Sequence, residues 1–183
     1  MTSKQLLYLF GEPGTGKITV AQILQQRLGW RLFWLHDLDP VCSIVGRYPI
    51  PRLMDRVSAA VLEELMDQQD NIIYVRPSRD RETVLKVLAL AEANGYTVHP
   101  IRLIARRDTL VSRVSNREKS QHRVSSEYEL NRYLESRPAT SREVSAVFVS
   151  TDHLTAEQVA DTIQQHLNKL ENIYGSCRTT EAR

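Results

Sequence analysis

Residues 8–24, YLFGEPGTGKITVAQIL, constrain the fold of this 183-residue chain more than any other stretch. Gly11, Gly14 and Gly16 precede Lys17 with the spacing G-x-x-x-x-G-K, which is typical of a phosphate-binding loop. The nearly continuous apolar run before the loop, residues 5–10, predicts a strand that is covered on both faces. After the loop, apolar residues recur every three to four positions as far as Leu28 and predict a helix. Such a strand–loop–helix unit is typical of a parallel α/β sheet.

The rest of the chain repeats this alternation of strand and helix. Further strands are predicted at residues 31–36, 71–75, 96–105 and 145–151, with helical periodicity between them. Pro100 would interrupt a central ladder, so the fourth strand is expected to start near Ile101. The last helix should follow a capping Thr155 and end near Leu170. We expect one α/β domain over residues 1–173, with a parallel sheet between two helical layers, and a flexible tail at 174–183.

The glycine-rich loop has the groups that a triphosphate needs. Glycines allow backbone N–H groups to curl around phosphate oxygens, and Lys17 would place its ammonium between the terminal phosphates. The helix that begins at the lysine adds the positive end of its dipole. The alternative is a glycine-rich turn that matches by chance. The residues predicted to contact the nucleotide are Gly11, Pro13, Gly14, Thr15, Gly16, Lys17, Ile18 and Thr19.

Two positions that usually hold Mg²⁺ beside such a loop, one after its lysine and one at the end of the third strand, carry unusual residues. Ile18 occupies the place of the hydroxyl residue that ligates the metal, and an isoleucine has no ligand atom. Thr19 lies about 100° further around the helix, which points its hydroxyl away from the phosphates. The third strand leads into Arg76 and Pro77, where an Asp-Gly pair is usual. The sequence therefore predicts phosphate binding with a weakened hold on Mg²⁺.

Two carboxylates follow the second strand and could substitute for the missing ligands. Asp37 and Asp39 are two residues apart, so in an extended segment they would project to the same side. They could hold Mg²⁺, for which Asp37 is the candidate, or orient the hydroxyl of an acceptor molecule. An Asp-Pro turn with helix capping explains them equally well. His36, just before them, is expected to be a packed residue at the end of the strand rather than a base.

An arginine-rich segment follows the fourth strand. Arg113 and Arg117 are four residues apart and therefore lie on one helical face. Arginines that a mobile lid delivers can stabilise the charge on a phosphoryl group in transfer, and the polar segment at about 117–127 suits such a lid. A solvated basic face is the alternative interpretation.

Composition narrows the classes of partner. A formal net charge of +2 gives no general basic field, which argues against nucleic acid as a partner. The sequence contains no apolar run of about 18 residues and no signal-peptide pattern, so neither a membrane span nor secretion is expected. Cys42 and Cys177 match no metal spacing, and reduced thiols in the cytoplasm are the preferred interpretation.

The motifs together resemble the small P-loop kinases, which include shikimate, gluconate and adenylate-type kinases. The resemblance covers roughly residues 6–167 and depends on GEPGTGK, the DLD after the second strand, RLIARRDTLVSRVSNR and FVSTDHLTAEQVADTI. The segment NGYTVHPIRLIARRDTLVSRV is most similar to the tunicamycin-resistance ATP-binding proteins, which suggests antibiotic resistance as a possible role.

Membership would imply a three-layer sandwich with a five-stranded parallel sheet in the order 2-3-1-4-5. It would also imply ATP binding and transfer of the terminal phosphoryl group to a small acceptor, with Lys17, Asp37, Arg113 and Arg117 as catalytic residues. Arg113 would also contact the nucleotide, and Asp37, Asp39 and Arg76 would contact the acceptor, which Arg76 would favour if it is anionic. The backbone of residues 150–152 would border the nucleotide base.

Two functions remain open at this point. Lys17, the acidic pair and the two arginines favour a phosphotransferase that acts on a small molecule. Ile18 and Arg76 favour a non-catalytic nucleotide-binding protein with a resistance or regulatory role. A nucleic-acid ATPase has little support at this size and charge. The sequence identifies neither the acceptor nor the oligomeric state.

Overall fold

A computed structural model describes residues 4–40, 51–68, 70–77, 81–117, 124–136 and 145–178. These residues form five strands and six α-helices, with one helix between successive strands except between the last two strands, where two helices follow each other. The strands are β1 (Lys4–Gly11), β2 (Arg31–Trp34), β3 (Ile72–Pro77), β4 (Tyr96–Ile104) and β5 (Val147–Ser150). The helices are α1 (Lys17–Leu28), α2 (Pro51–Asp67), α3 (Arg81–Ala93), α4 (Arg107–Ser115), α5 (Glu127–Glu135) and α6 (Ala156–Arg178). A single 3₁₀ turn (Leu35–Leu38) follows β2.

All five strands are parallel and have the order β2-β3-β1-β4-β5, so the predicted three-layer α/β fold is confirmed. β1 lies at the centre of the sheet, between β3 and β4. Its last side chain before the loop, Phe10, is in register with Arg76 of β3 and with Arg102 of β4. The carboxyl edge of a parallel sheet is where such folds bind ligands, and the phosphate loop leaves β1 at this edge.

The two faces of the sheet have different cores. On one face, aliphatic residues of β1 and β3 pack against α1 and α6, through residues such as Leu7, Leu9, Val75, Leu24 and Ile163. The other face carries a row of stacked rings, in which Tyr8 lies 5.1 Å from Phe10 and 5.5 Å from Tyr74 between ring centroids. Phe33 extends the row from β2 at 5.1 Å from Tyr74. Each fully buried apolar side chain contributes about 1.5–3 kcal/mol, so both layers anchor β1 and the loop that follows it.

Three element boundaries differ from the sequence-based expectation. β4 begins at Tyr96, before Pro100, because β5 pairs with β4 only from Ile101 onward and Pro100 therefore has a strand on one side alone. β2 ends at Trp34, two residues early, where the 3₁₀ turn buries Leu35 and Leu38. The last helix follows the predicted Thr155 cap but continues to Arg178, since no strong helix breaker follows Leu170 directly.

Some expectations concern residues that lie outside the described part of the chain. Most of the predicted lid, at 118–123, belongs to this group, as do Cys42 and residues 179–183. No helix among the described residues has the length and apolar content that would be needed to cross a membrane.

Candidate functional site

The phosphate loop lies between the end of β1 and the start of α1 and is packed against β4 and α4. Gly11 has φ 148° and Gly14 has φ 90°, values that side chains rarely allow. A Cβ atom at Gly11 would clash with the carbonyl oxygen of Leu103, and one at Gly14 would lie 3.2 Å from the carbonyl oxygen of Leu110. Both glycines are therefore needed for the close approach of the loop to its neighbours.

Lys17 turns its ammonium into the loop. Its Nζ donates to the carbonyl oxygens of Gly11 at 2.8 Å and Glu12 at 2.7 Å, and to Oγ1 of Thr15 at 3.3 Å. Thr15 is fully buried and closes the turn, because its hydroxyl donates to the carbonyl oxygen of Glu12 at 2.9 Å. The ammonium is thus held at the centre of the loop, which is where a bound phosphate would need it.

The electrostatic surroundings of Lys17 make its charge sensitive to ligands. Burial lowers the pKa of Lys17 from its ordinary value to about 7, the Glu12 carboxylate opposes this change, and Arg117 adds to it. A ligand with several negative charges would restore the pKa by stabilising the ammonium form. The loop therefore suits phosphate groups, and its glycine backbone and single ammonium match the donors that a triphosphate requires.

The residues at the usual metal-binding positions provide few ligand atoms. Ile18 is partly buried and has no ligand atom, and Thr19 is exposed to solvent. No group of three or more His, Cys, Asp or Glu side chains that could hold a metal ion occurs within the described segments. The donor set of these residues therefore does not fit a metal ion that the protein alone would hold.

Asp37 and Asp39 do not form the expected pair on one side of the backbone. That expectation was wrong because β2 ends at Trp34 and both residues follow in helical geometry. Asp37 is exposed, and its Oδ2 accepts a hydrogen bond from the backbone N–H of Trp34 at 3.1 Å. Asp39 is buried, and its Oδ2 lies 2.9 Å from Nδ1 of His36. The assignment of Asp37 to a metal and of both residues to an acceptor stays a prediction.

Arg76 lies at the end of β3 and is 2% exposed. Its Nη2 donates to Oδ1 of Asp55 on α2 at 2.9 Å, and its Nη1 lies 3.3 Å from the hydroxyl of Tyr74. The Asp55 side chain is 40% exposed, so the acid of this ion pair faces solvent while the guanidinium does not. Asp55 was not identified from the sequence, because 21 residues separate it from its partner.

Of the two predicted catalytic arginines, Arg113 contacts the loop directly and Arg117 follows the end of α4. Arg113 of α4 donates to the carbonyl oxygen of Gly14 at 3.3 Å, and also to Oγ1 of Thr151 at 2.9 Å and its carbonyl oxygen at 2.6 Å. It therefore joins the phosphate loop to the end of β5. Arg117 acts electrostatically on Lys17 and donates to the carbonyl oxygen of Val124 at 3.4 Å. Their catalytic roles remain predictions.

A further ion pair at the loop was missed from the sequence. An Oε1 atom of Glu12 accepts a short hydrogen bond from Nη2 of Arg102, which projects from β4 beside Phe10. The guanidinium also lies 5.9 Å from the centroid of the Phe148 ring. Two signals in the sequence could have indicated the pair, namely an acid inside a phosphate loop and an arginine within an otherwise apolar strand.

Comparison with known proteins supports the fold. No protein-family model and no curated protein matches the sequence. Among solved structures, a gluconokinase from Sinorhizobium meliloti is similar with a TM-score of 0.69 and 17% identity, over 96% of this chain and 99% of that chain. A shikimate kinase from Bacteroides thetaiotaomicron has a TM-score of 0.61 and 14% identity, over 90% and 98% of the two chains.

The tunicamycin resistance protein of Deinococcus radiodurans is also similar. It has a TM-score of 0.60 and 16% identity, over 90% of this chain and 96% of that chain. All three comparisons cover nearly whole chains, and the predicted resemblance in fold is confirmed. The chain has the fold of the small P-loop kinases.

Proposed function

We propose that this protein is an ATP-dependent phosphotransferase that transfers the terminal phosphoryl group to a small molecule. The observation that carries the proposal is the ammonium of Lys17, which three oxygens of the phosphate loop hold at the centre of the loop. A bound triphosphate would replace these carbonyl contacts with contacts to its β and γ phosphate oxygens. The likeness in fold to structures named gluconokinase and shikimate kinase supports this class of reaction.

In the proposed reaction, an oxygen of the acceptor attacks the γ phosphorus. A new oxygen–phosphorus bond forms, the bond to the β–γ bridging oxygen breaks, and ADP leaves with the bonding electrons. Lys17 would stabilise the charge that develops on the bridging oxygen, and Arg113 and Arg117 would close over the transferring group. Asp37, whose carboxylate is exposed at the same edge of the sheet, is our candidate to receive the proton of an acceptor hydroxyl. A magnesium ion that entered with ATP would supply further positive charge at the phosphates.

We place the acceptor beside the 3₁₀ turn, α2 and the end of β3. Asp39 would orient it through His36, since the Asp39 carboxylate holds the imidazole at Nδ1. Arg76 would favour an anionic acceptor, which would displace Asp55 from the guanidinium. ATP and small metabolites are cytoplasmic, so we assign the protein to the cytoplasm. We expect no nucleic acid as a partner, since the net charge is only +2, and no membrane, since the sequence has no apolar run of about 18 residues.

A second candidate function has a specific observation in its favour. Arg76, which occupies the usual place of an acidic metal ligand, is buried and ion-paired, and Ile18 offers no hydroxyl. A protein with these features could bind ATP without turnover and act in resistance or regulation. The likeness in fold to a tunicamycin resistance protein makes tunicamycin one ligand that deserves a test.

The deciding experiment measures ATP turnover against a panel of small acceptors, including gluconate, shikimate and tunicamycin. Production of ADP that depends on one acceptor, and that Lys17→Ala abolishes, would establish the phosphotransferase. ATP binding with no ADP production from any acceptor of the panel would favour the second function over the first. Absence of ATP binding would reject both.

A further inference from the structure

The Glu12–Arg102 ion pair puts a carboxylate inside a loop that is built for anions. The backbone of Glu12 forms the centre of the loop, because its carbonyl oxygen accepts from both Lys17 and Thr15. The Glu12 side chain is 16% exposed and that of Arg102 is 7% exposed. Bulk solvent therefore screens this carboxylate only weakly from a phosphate group bound in the loop.

An uncompensated acid at this place would weaken phosphate binding in two ways. It would repel the negative charges of the ligand, which are concentrated in the same loop. It would also compete for Lys17, since the Glu12 carboxylate already acts on that ammonium. Because the chain carries a glutamate at this place, a positive charge elsewhere must compensate for it if the loop is to bind phosphate.

The compensating charge comes from the neighbouring strand. Arg102 stands on β4 in register with Phe10, two residues before Glu12, and its guanidinium reaches the Glu12 carboxylate. Phe148 on β5 is in register with Arg102 and provides an aromatic face against the guanidinium. The position of Arg102 on β4 and the ring of Phe148 thus orient the guanidinium, and the ion pair holds the Glu12 carboxylate near β4.

We propose that Arg102 is a positioning residue for nucleotide binding, which holds and neutralises Glu12 so that the phosphate loop can accept a polyphosphate. The inference rests on the proposed nucleotide binding and does not require phosphoryl transfer. It predicts that loss of Arg102 harms binding through the freed Glu12 charge. Removing that charge should therefore restore binding.

The test is a double-mutant cycle in the full chain, with calorimetric titration of ATP, ADP and inorganic tripolyphosphate. Arg102→Met should weaken ATP and tripolyphosphate binding by at least about tenfold, equal to about 1.4 kcal/mol, and ADP binding by less. Glu12→Gln should leave ATP affinity unchanged or raise it. Glu12→Gln combined with Arg102→Met should recover most of the lost affinity.

Several controls separate this role from a purely structural one. Arg31→Met removes the same charge from an exposed ion pair with Asp70 at the opposite edge of the sheet and should change ATP affinity little. A structural role alone would weaken all three ligands equally. If Arg102→Met does not fold, as judged by circular dichroism, the same cycle is measured with Arg102→Gln, alone and combined with Glu12→Gln.

The outcomes are distinct for the inference and for the function on which it rests. Wild-type protein that binds neither ATP nor tripolyphosphate would overturn both. Two results would overturn the positioning role alone. One is unchanged ATP affinity in Arg102→Met, and the other is a double variant that does not recover the lost affinity. Failure of Glu12→Gln to bind ATP would also overturn it, because Glu12 would then be a direct contact. Binding without turnover would reject the phosphotransferase and leave the positioning role intact.

Discussion

Two sides of the same sheet edge, the loop that we assign to phosphate and the side that we propose for the acceptor, differ in how their charged side chains are paired. On the phosphate side, Lys17 is held by the loop, Glu12 is paired with Arg102, and Arg113 ties the loop to Thr151. On the acceptor side, the ion pair of Arg76 has a solvent-facing acid, and Asp37 is exposed. On the first side the charged groups are paired with one another, whereas on the second side two carboxylates are exposed to solvent. Nucleotide binding and turnover should therefore respond to different substitutions.

The largest expected effect is on the phosphate side. Lys17→Ala removes the ammonium at the centre of the loop, so ATP affinity should fall by about a thousandfold, equal to about 4 kcal/mol. Calorimetric titration measures the change. Lys86→Ala is the control, because Lys86 pairs with Glu82 on the surface of α3 and both side chains are about three-quarters exposed, at 73% and 75%. Unchanged ATP affinity in Lys17→Ala would rule out the loop as the phosphate site.

The next effect concerns the stability of the acceptor side. Asp55→Ala leaves the guanidinium of Arg76 buried without its acid, so the free energy of unfolding should fall by about 3 kcal/mol. Arg76→Met leaves only a partly exposed carboxylate and should cost about 1 kcal/mol. Urea unfolding measures both. Asp70→Ala, which breaks an exposed ion pair with Arg31, is the control and should cost less than about 1 kcal/mol.

Equal losses in Asp55→Ala and Arg76→Met would contradict this description of the pair. They would mean that the burial of the arginine does not decide the cost. A larger loss from Arg76→Met would show that packing of the arginine side chain outweighs its charge.

A smaller effect is expected at Ile18, the second residue of α1. Threonine and valine have nearly the same shape, but only threonine offers a hydroxyl. In Ile18→Thr, the ratio of ATP affinity with Mg²⁺ to ATP affinity with EDTA should therefore rise by about tenfold. In Ile18→Val, this ratio should stay unchanged. Calorimetric titration of both variants under both conditions makes the comparison. Equal behaviour of the two variants would mean that the metal is held elsewhere.

The smallest effect is a proton that accompanies binding. The pKa of Lys17 is about 7 in the free protein, so at pH 8 most molecules carry a neutral amine. Phosphate favours the ammonium form, and ATP binding at pH 8 should therefore take up as much as about one proton, whereas binding at pH 6 should take up almost none. Affinity should fall as the pH rises above 7. Titrations in buffers of different ionisation enthalpy measure the uptake, and no buffer dependence at pH 8 would contradict the prediction.

The fold could be predicted from the sequence because its signals are local. The apolar run of β1, the glycines of the loop and the periodicity of α1 lie within one short stretch, and the order of the strands followed from the resemblance that this stretch and later motifs carry. The ends of strands and helices were harder to predict, because they depend on which strands pair in the sheet. Pro100 is tolerated only because β5 pairs from Ile101 onward, which the sequence does not show.

Within the candidate site, the loop and the arginine beside it, Arg113, could be predicted from the sequence, whereas the ion pairs could not. Glu12 and Arg102 are 90 residues apart, and Asp55 and Arg76 are 21 apart, so both ion pairs depend on the sheet order and on side-chain direction. The acidic pair was misplaced for a local reason. Leu35 and Leu38 are buried in a 3₁₀ turn, and this helical geometry leaves Asp37 exposed while Asp39 is buried.

The most direct test of the central claim is calorimetric titration of the wild-type protein with ATP, first with Mg²⁺ and then with EDTA. We expect saturable binding at one site under both conditions, with affinities that differ by less than about tenfold, because the phosphate side is complete and Ile18 offers the metal no ligand. Absence of binding in both would contradict the assignment of the phosphate loop. Binding that requires Mg²⁺ would contradict the difference between the two sides and would point to Asp37 as the metal ligand.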